Sequence, residues 1–395
     1  MPTIDPQRPG ESALSARSAV PPFRALRVLA EAAARRAAGQ RIFDLSVGQP
    51  GTPAPGPVRA AARRALSERT LGYTPAVGLP ELRTGIAAHY RAAYGLDIDP
   101  AQVVVTTGSS GAFLLSFLAA LDAGDAVVAP APGYPAYRNM LAALGCRVID
   151  LPCGADTGFQ PTVPMLDALR PRPAGLVLAS PANPTGSMLA PDALRGIVEW
   201  CERSGVALIS DEIYHGLTYG RPGACAREFG TQPWIVNSFS KYWAMTGWRL
   251  GWVIVPPGAI DTVDALAGNF ALCPPAISQY AALAAFDAED ELQANVEVYR
   301  RNRALLLDGL PGLGITDLAP ADGAFYVYAD VSHLSTDTID LSARLLAEAG
   351  VALTPGADFD PIAGHRFIRM SFAGTPDDIE GALEALGAWI GANAG

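Results

Sequence analysis

Between residues 101 and 255 the chain alternates short β-branched or aliphatic runs with longer amphipathic stretches, and this alternation limits its possible folds more than any other feature. Val103-Val104-Val105, Ala126-Val127-Val128, Arg147-Val148-Ile149, Leu176-Val177-Leu178, residues 206–209, Ile235-Val236 and residues 250–255 each read as a strand. Helices are expected at 57–67, 80–94, 110–121, 137–144 and 191–203. Strands that are apolar throughout must be covered on both faces. The pattern therefore predicts an α/β fold, with a mostly parallel seven-stranded sheet sandwiched by helices. In such sheets ligands bind beyond the carboxyl ends of the strands.

After about residue 287 the texture changes. A charged helix at 291–308 and a Pro311-Gly312-Leu313-Gly314 turn precede short strands at 325–329, 351–353 and 367–372. Helices are expected at 340–349 and 376–390. This reads as a smaller α+β domain built from both termini. Residues 23–50 (a helix over 23–38, then a short strand at 42–45) and 290–395 form it, residues 51–289 form the large domain, and the Pro- and Ser-rich residues 1–22 form an arm.

Composition removes several classes of function. A net charge of −10 argues against a nucleic-acid partner. Residues 1–22 hold no apolar core of a leader peptide, and the uncharged stretch 101–121 is broken by Thr106-Thr107-Gly108-Ser109-Ser110-Gly111, so no membrane association is expected. Five widely spaced cysteines read as free thiols in a reducing cytoplasm, and four scattered histidines give no zinc spacing.

The chemistry sits just past the strands. Beyond Val105, Gly108-Ser109-Ser110-Gly111 opens a helix, whose free amides and dipole suit a phosphate. Beyond Leu178, Pro181 and Pro184 fix Asn183 between them, a pattern that a purely structural rigid turn also uses. Beyond Ile209, Asp211-Glu212-Ile213-Tyr214 sets a carboxylate at a strand end, where it needs a cationic partner. Beyond Val236 come Ser238 and Lys241, with Arg249 eight residues later.

Lys241 is the only lysine among 29 basic residues. Arginine keeps its proton at any physiological pH, whereas a partly buried lysine can lose one and attack a carbonyl carbon. Ser-x-x-Lys also occurs in serine nucleophiles of the penicillin-binding type, but that set includes Lys-Thr-Gly, which one lysine cannot supply. One ligand accounts for the whole collection: it carries a phosphate, an aldehyde for the lysine, and a ring nitrogen that a carboxylate keeps protonated. Pyridoxal 5'-phosphate has all three.

On these residues the chain resembles class I/II aminotransferases of the fold-type I pyridoxal-phosphate family, from about Arg27 to the C-terminus. The resemblance rests on Tyr73 in Gly-Tyr-Thr-Pro-x-x-Gly, Asn183-Pro184-x-Gly186, Asp211-Glu212-x-Tyr214, Ser238-x-x-Lys241 with Arg249, and Arg369, in the family's order and spacing. It implies that Lys241 is the Schiff-base lysine and the base that moves a proton at the substrate Cα. Asp211 would pair with the ring nitrogen, Asn183 and Tyr214 would donate to the ring's phenolate oxygen, and Tyr134 would stack on the ring. Ser109, Ser110, Ser238 and Arg249 would cradle the phosphate, and Tyr73 would reach the phosphate of a partner subunit in a homodimer. Arg369 would grip the substrate α-carboxylate beside Asn183 and the Gly48 backbone, and the Asn183-Pro184 bond would be cis.

The apolar segment 269–275 matches the family's position for a substrate-side loop. No second arginine is evident for a distal carboxylate, which favours a neutral or hydrophobic amino donor and a 2-oxo acid acceptor, with ping-pong chemistry. His215 reads as a surface or supporting histidine. A C–S lyase, decarboxylase or racemase on the same site remains open at this level, because the cofactor supplies the chemistry. A pyridoxal-phosphate-sensing domain of a regulator is disfavoured, since only about two dozen residues precede the family-like region.

Overall fold

The computed structural model describes residues 14–393, so only residues 14–22 of the expected arm fall within it. Strands are numbered in chain order. β1 (Phe43–Asp44) lies outside the main sheet, which is made of β2 (Val103–Thr106), β3 (Ala126–Ala131), β4 (Arg147–Pro152), β5 (Gly175–Ala179), β6 (Ala207–Asp211), β7 (Trp234–Ser238) and β8 (Gly251–Ile254). Their order across the sheet is β2-β8-β7-β6-β5-β3-β4. β3 to β7 pair in parallel, and β8 runs antiparallel to both β7 and β2.

Both faces of this sheet are buried, which is why its strands lack a polar side. Val104, Val127, Val177, Ile209, Val236 and Val253 pack into one core cluster. Their neighbours Val105, Val128, Leu178, Leu208, Ile235 and Trp252 pack into the other. Alternation with a period of two sends successive side chains to opposite faces. Burying each large aliphatic side chain contributes roughly 1.5–3 kcal/mol.

The remaining strands form two small sheets. β9 (Tyr326–Asp330), β11 (Thr354–Pro355) and β12 (Phe367–Ser371) make an antiparallel sheet in the order β11-β12-β9, while β10 (Val351–Ala352) pairs in parallel with β1. The early segment is thereby stitched to the C-terminal third. Helix Arg24–Ala37 is fastened there too: the Ala25 amide donates to the Asp358 carboxylate at 2.9 Å, and Arg24 lies 3.4 Å from it.

Several boundaries differ from the expectation for identifiable reasons. The helix expected at 110–121 spans Gly108–Ala120, because Gly108 adopts a left-handed φ of +73° and starts the turn two residues earlier. The helix expected at 340–349 is Thr338–Arg344 followed by a wider turn over Leu345–Ala349, capped by the Asp337 carboxylate accepting from the Ile339 amide. Helices Val163–Asp167, Ile260–Phe270 and Ala276–Ala282 were not expected; each is short or lacks a clean apolar stripe.

Candidate active site

Register brings the motif residues to one level. Ala179, Asp211 and Val236 are direct neighbours across β5, β6 and β7. The loops that leave these strands carry Asn183, Tyr214 and Lys241 into a cleft of about 490 Å³. Ser109, Ser110, Tyr134, Arg249, Gly48 and Arg369 line the same cleft. Asp211 is 4 % exposed; Tyr137 donates its hydroxyl proton to the carboxylate, and the Ile213 amide donates at 3.1 Å. Burial pushes this carboxyl up to about 6, against the pull of Tyr137, Ile213 and Lys241, so it is ionised at neutral pH.

Lys241 donates from Nζ to the Gly48 carbonyl at 2.5 Å. Burial lowers its pKa to about 8, helped by the positive charges of Arg369 and Arg249 and opposed by Asp211. Near pH 8 a substantial fraction is therefore free amine, the form that attacks an aldehyde.

The two arginines lie in different settings. Arg249 follows the turn Thr246–Trp248 with a left-handed φ of 51° and donates to the Thr246 carbonyl at 2.9 Å. A Cβ at Gly108 would meet its Nη2 at 2.5 Å, so glycine is needed for the guanidinium to reach the helix N-terminus bearing Ser109 and Ser110. Arg369, on β12, is 2 % exposed. It donates to the Ser46 carbonyl at 2.6 Å and to Asn183 Oδ1 at 2.9 Å, lies between the rings of Tyr326 and Phe359, and leaves Nε without a partner. No carboxylate among the described residues lies within 4 Å of it. A buried cation held only by neutral groups carries a charge that nothing among the described residues matches.

The arrangement differs from expectation at specific positions. Ser238 is fully buried beneath the cleft, its hydroxyl 2.8 Å from the Leu250 carbonyl and 2.8 Å from Ser240 Oγ. Ser240 and Thr246 line the cleft instead. Tyr73 is 84 % exposed and does not line this chain's cleft, nor does the segment 269–275. Tyr214 bonds to Tyr326 at 2.8 Å, and the Asn183-Pro184 bond is cis.

Tyr137 and Tyr326 were missed. Tyr137 lies three residues after Tyr134 at the start of helix Pro135–Ala143, a spacing that puts both on one side and was available in the sequence. Nothing in the sequence marks Tyr326, which comes to the cleft through β9; a Cβ at Gly48 would fall on its hydroxyl. His215 is buried behind the site. The Ser180 carbonyl can only accept, so Nε2 donates to it at 2.9 Å, and Nδ1 accepts from the Tyr94 hydroxyl at 2.7 Å. Burial lowers the His215 pKa to about 4, which keeps it neutral.

A helix N-terminus with two serines beside an arginine, a buried carboxylate, an amine of lowered pKa and a buried arginine with no carboxylate partner thus share one cleft. Residues 40–386 match the family of class I and II aminotransferases. The chain belongs to this family. This aminotransferase is 53 % identical to valine–pyruvate aminotransferase of Mycobacterium tuberculosis, over 95 % of its own length and 97 % of the relative's. It is 35 % identical to aspartate/prephenate aminotransferase of Thermus thermophilus, over 94 % and 97 % of the two chains. A crystal structure of an aminotransferase from Mycobacterium tuberculosis superposes with a TM-score of 0.95 at 51 % identity, covering 97 % of this chain and all of that one.

Members of the family use pyridoxal 5'-phosphate, and the donor set of this aminotransferase fits it. The seat made by Gly108, Ser109, Ser110 and Arg249 suits the phosphate, Asp211 suits a basic ring nitrogen, and Lys241 suits the aldehyde. No helix among the described residues is long and apolar enough to cross a membrane.

Proposed function

We propose that this aminotransferase moves the amino group of a neutral aliphatic or otherwise hydrophobic L-amino acid to a small 2-oxo acid such as pyruvate, by ping-pong kinetics in the cytoplasm. The observation that carries the reading is the cation inventory of the cleft. Lys241, Arg249 and Arg369 are its only basic side chains among the described residues, and each has a task. This chain's own side chains leave none for a distal carboxylate. The cleft is also lined by apolar side chains, Leu26 and Leu29 of helix Arg24–Ala37 with Phe23 just before it and Val47. The 53 % identity to a valine–pyruvate enzyme supports the same choice.

In this reading pyridoxal 5'-phosphate supplies an electron sink that makes the substrate Cα–H bond breakable. Lys241 carries the cofactor and then moves the proton at Cα with its Nζ. Asp211 remains ionised to hold the ring nitrogen's proton, and Tyr137 keeps the carboxylate charged by donating to it. Asn183 and Tyr214 orient the ring. Tyr134, whose ring stands edge-on to those of Phe23 and Tyr137, closes one side of it. Ser109, Ser110, Ser240 and Arg249 seat the phosphate. Arg369 takes the substrate α-carboxylate, which neutralises its buried charge and fixes which face of Cα meets Lys241.

The cleft would be completed by a second copy of the chain. Gln279 donates to Thr74 Oγ1 and to the Pro274 carbonyl at 3.0 Å each, so the segments around Tyr73 and 270–274 lie side by side. Leu71, Tyr73, Phe270 and Leu272 are all exposed there, a patch of the kind that protein–protein contacts cover. A monomeric mass by sedimentation at micromolar concentration would end this part of the proposal.

The test is a panel of L-valine, L-leucine, L-alanine, L-aspartate and L-glutamate against pyruvate and 2-oxoglutarate. Valine or leucine is expected to exceed aspartate in kcat/KM by roughly 100-fold, since aspartate would bury an unpaired carboxylate. Equal or better use of aspartate would refute the reading. Lys241→Ala is the control: it should lose both turnover and the visible absorbance of the lysine-linked cofactor.

A further inference from the structure

A second cavity, about 540 Å³, opens between the carboxyl ends of β3 and β4 and the sheet of β9 and β12. It shares no lining residue with the catalytic cleft. Phe359 links the two sites, covering the Arg369 guanidinium at 4.6 Å and meeting Tyr328 edge-on with ring centroids 6.4 Å apart.

The walls of this cavity are aromatic. Tyr328 and Phe367 stack with centroids 4.7 Å apart and planes 5° from parallel, and Phe159 stands perpendicular to both at 6.4 Å. Phe159 holds a left-handed φ of 59°, a conformation a bulky side chain rarely keeps without reason. Tyr328 is 0 % exposed, and its hydroxyl has no hydrogen-bond partner. Burial, and after it the charges of Asp360 and Asp330, holds that hydroxyl protonated.

Charge in the cavity is unbalanced. Asp330 pairs with Arg366 at 2.6 Å. Asp317 at the rim and the buried Asp360 also line the space, and neither has a basic side chain within 4 Å among the described residues. One Asp360 oxygen accepts from the Ile362 amide at 2.8 Å, which leaves the other for a ligand.

We propose that this cavity is a second ligand site, taking an organic ammonium ion that carries an apolar body. The apolar part lies against Phe367 and Phe159, whose ring faces attract a cation. The ammonium N–H meets the free Asp360 oxygen.

The probe is N,N-dimethylbenzylamine, which is protonated at neutral pH and, as a tertiary amine, forms no Schiff base with the cofactor. Binding to the holoenzyme is followed by saturation-transfer NMR. Saturable binding is expected, weakened roughly five- to tenfold by Asp360→Asn, with the neutral isostere isobutylbenzene weaker by a similar factor. Because Asp360 is buried and its variant could misfold, Ile362→Trp provides an independent check. Ile362 is 51 % exposed at the mouth, and a Trp there should block the probe while transamination continues. Absence of saturable binding up to roughly 10 mM would overturn the proposal. So would equal binding of the isostere, or binding unchanged by both Asp360→Asn and Ile362→Trp.

Discussion

Arg249 and Arg369 point into the same cleft, and the protein holds them by opposite means. Arg249 is exposed and positioned by its backbone: the left-handed φ of 51° costs roughly 1–3 kcal/mol, and a glycine across from it clears the way. Arg369 has ordinary strand geometry and is positioned by its surroundings, two rings and three neutral acceptors. The difference matches the two kinds of ligand proposed for them. A resident phosphate can be held by a cation that water also reaches. A substrate that enters and leaves at each turnover gains more from a desolvated cation whose partner is missing until it arrives, because Coulombic attraction strengthens as water is excluded.

Substitutions can break this contrast. Arg369→Gln is expected to have the largest effect, lowering kcat/KM for the amino donor roughly 30- to 5,000-fold while cofactor retention, read by absorbance after gel filtration, stays near normal. Comparable loss of cofactor would show that Arg369 is not reserved for substrate. Arg249→Gln comes next: titration of the apoprotein with pyridoxal 5'-phosphate should show roughly 10- to 150-fold weaker binding, with a smaller change in the donor's KM. An unchanged cofactor affinity would remove Arg249 from the phosphate seat.

The smallest effect on turnover is expected from Glu212→Gln, behind the site. Burial lifts the Glu212 carboxyl to about 7, against the donors Ala226, Cys225 and Ser210, and its Oε2 has no partner. The folded chain therefore keeps a proton that the unfolded chain has lost, and stability falls as pH rises from about 4.5 to about 7 and stays lower above that. A glutamine cannot ionise. The variant's Tm should exceed the parent's at about pH 8, and the two should converge below about pH 4.5. A Tm gap independent of pH would contradict this account.

The strands and the residues just beyond them were legible in the sequence because a doubly covered sheet leaves a plain signature. Each strand must be apolar on both sides, and whatever follows its carboxyl end must face the crevice. Lys241, Asp211 and Asn183 were singled out on that logic, and all three line one cleft. For Ser238 the spacing to Lys241 fixes distance along the chain but not which serine faces the cleft; the bond to the Leu250 carbonyl turns Ser238 away, while the buried Ser240 lines the cleft. Tyr326 was invisible because its place depends on β9 meeting β12 more than a hundred residues from Tyr214.

By itself, then, the sequence determined the α/β class and the aminotransferase family, and it put the candidate cofactor groups just beyond the strands, since these depend on local pattern and on residue chemistry. Only the tertiary structure decided which groups are desolvated. The lowered pKa of Lys241, the raised pKa of Asp211 and the unmatched charge of Arg369 arise from segments distant in sequence closing around one cleft. Burial is a property of the whole packed chain, and no short stretch of residues encodes it.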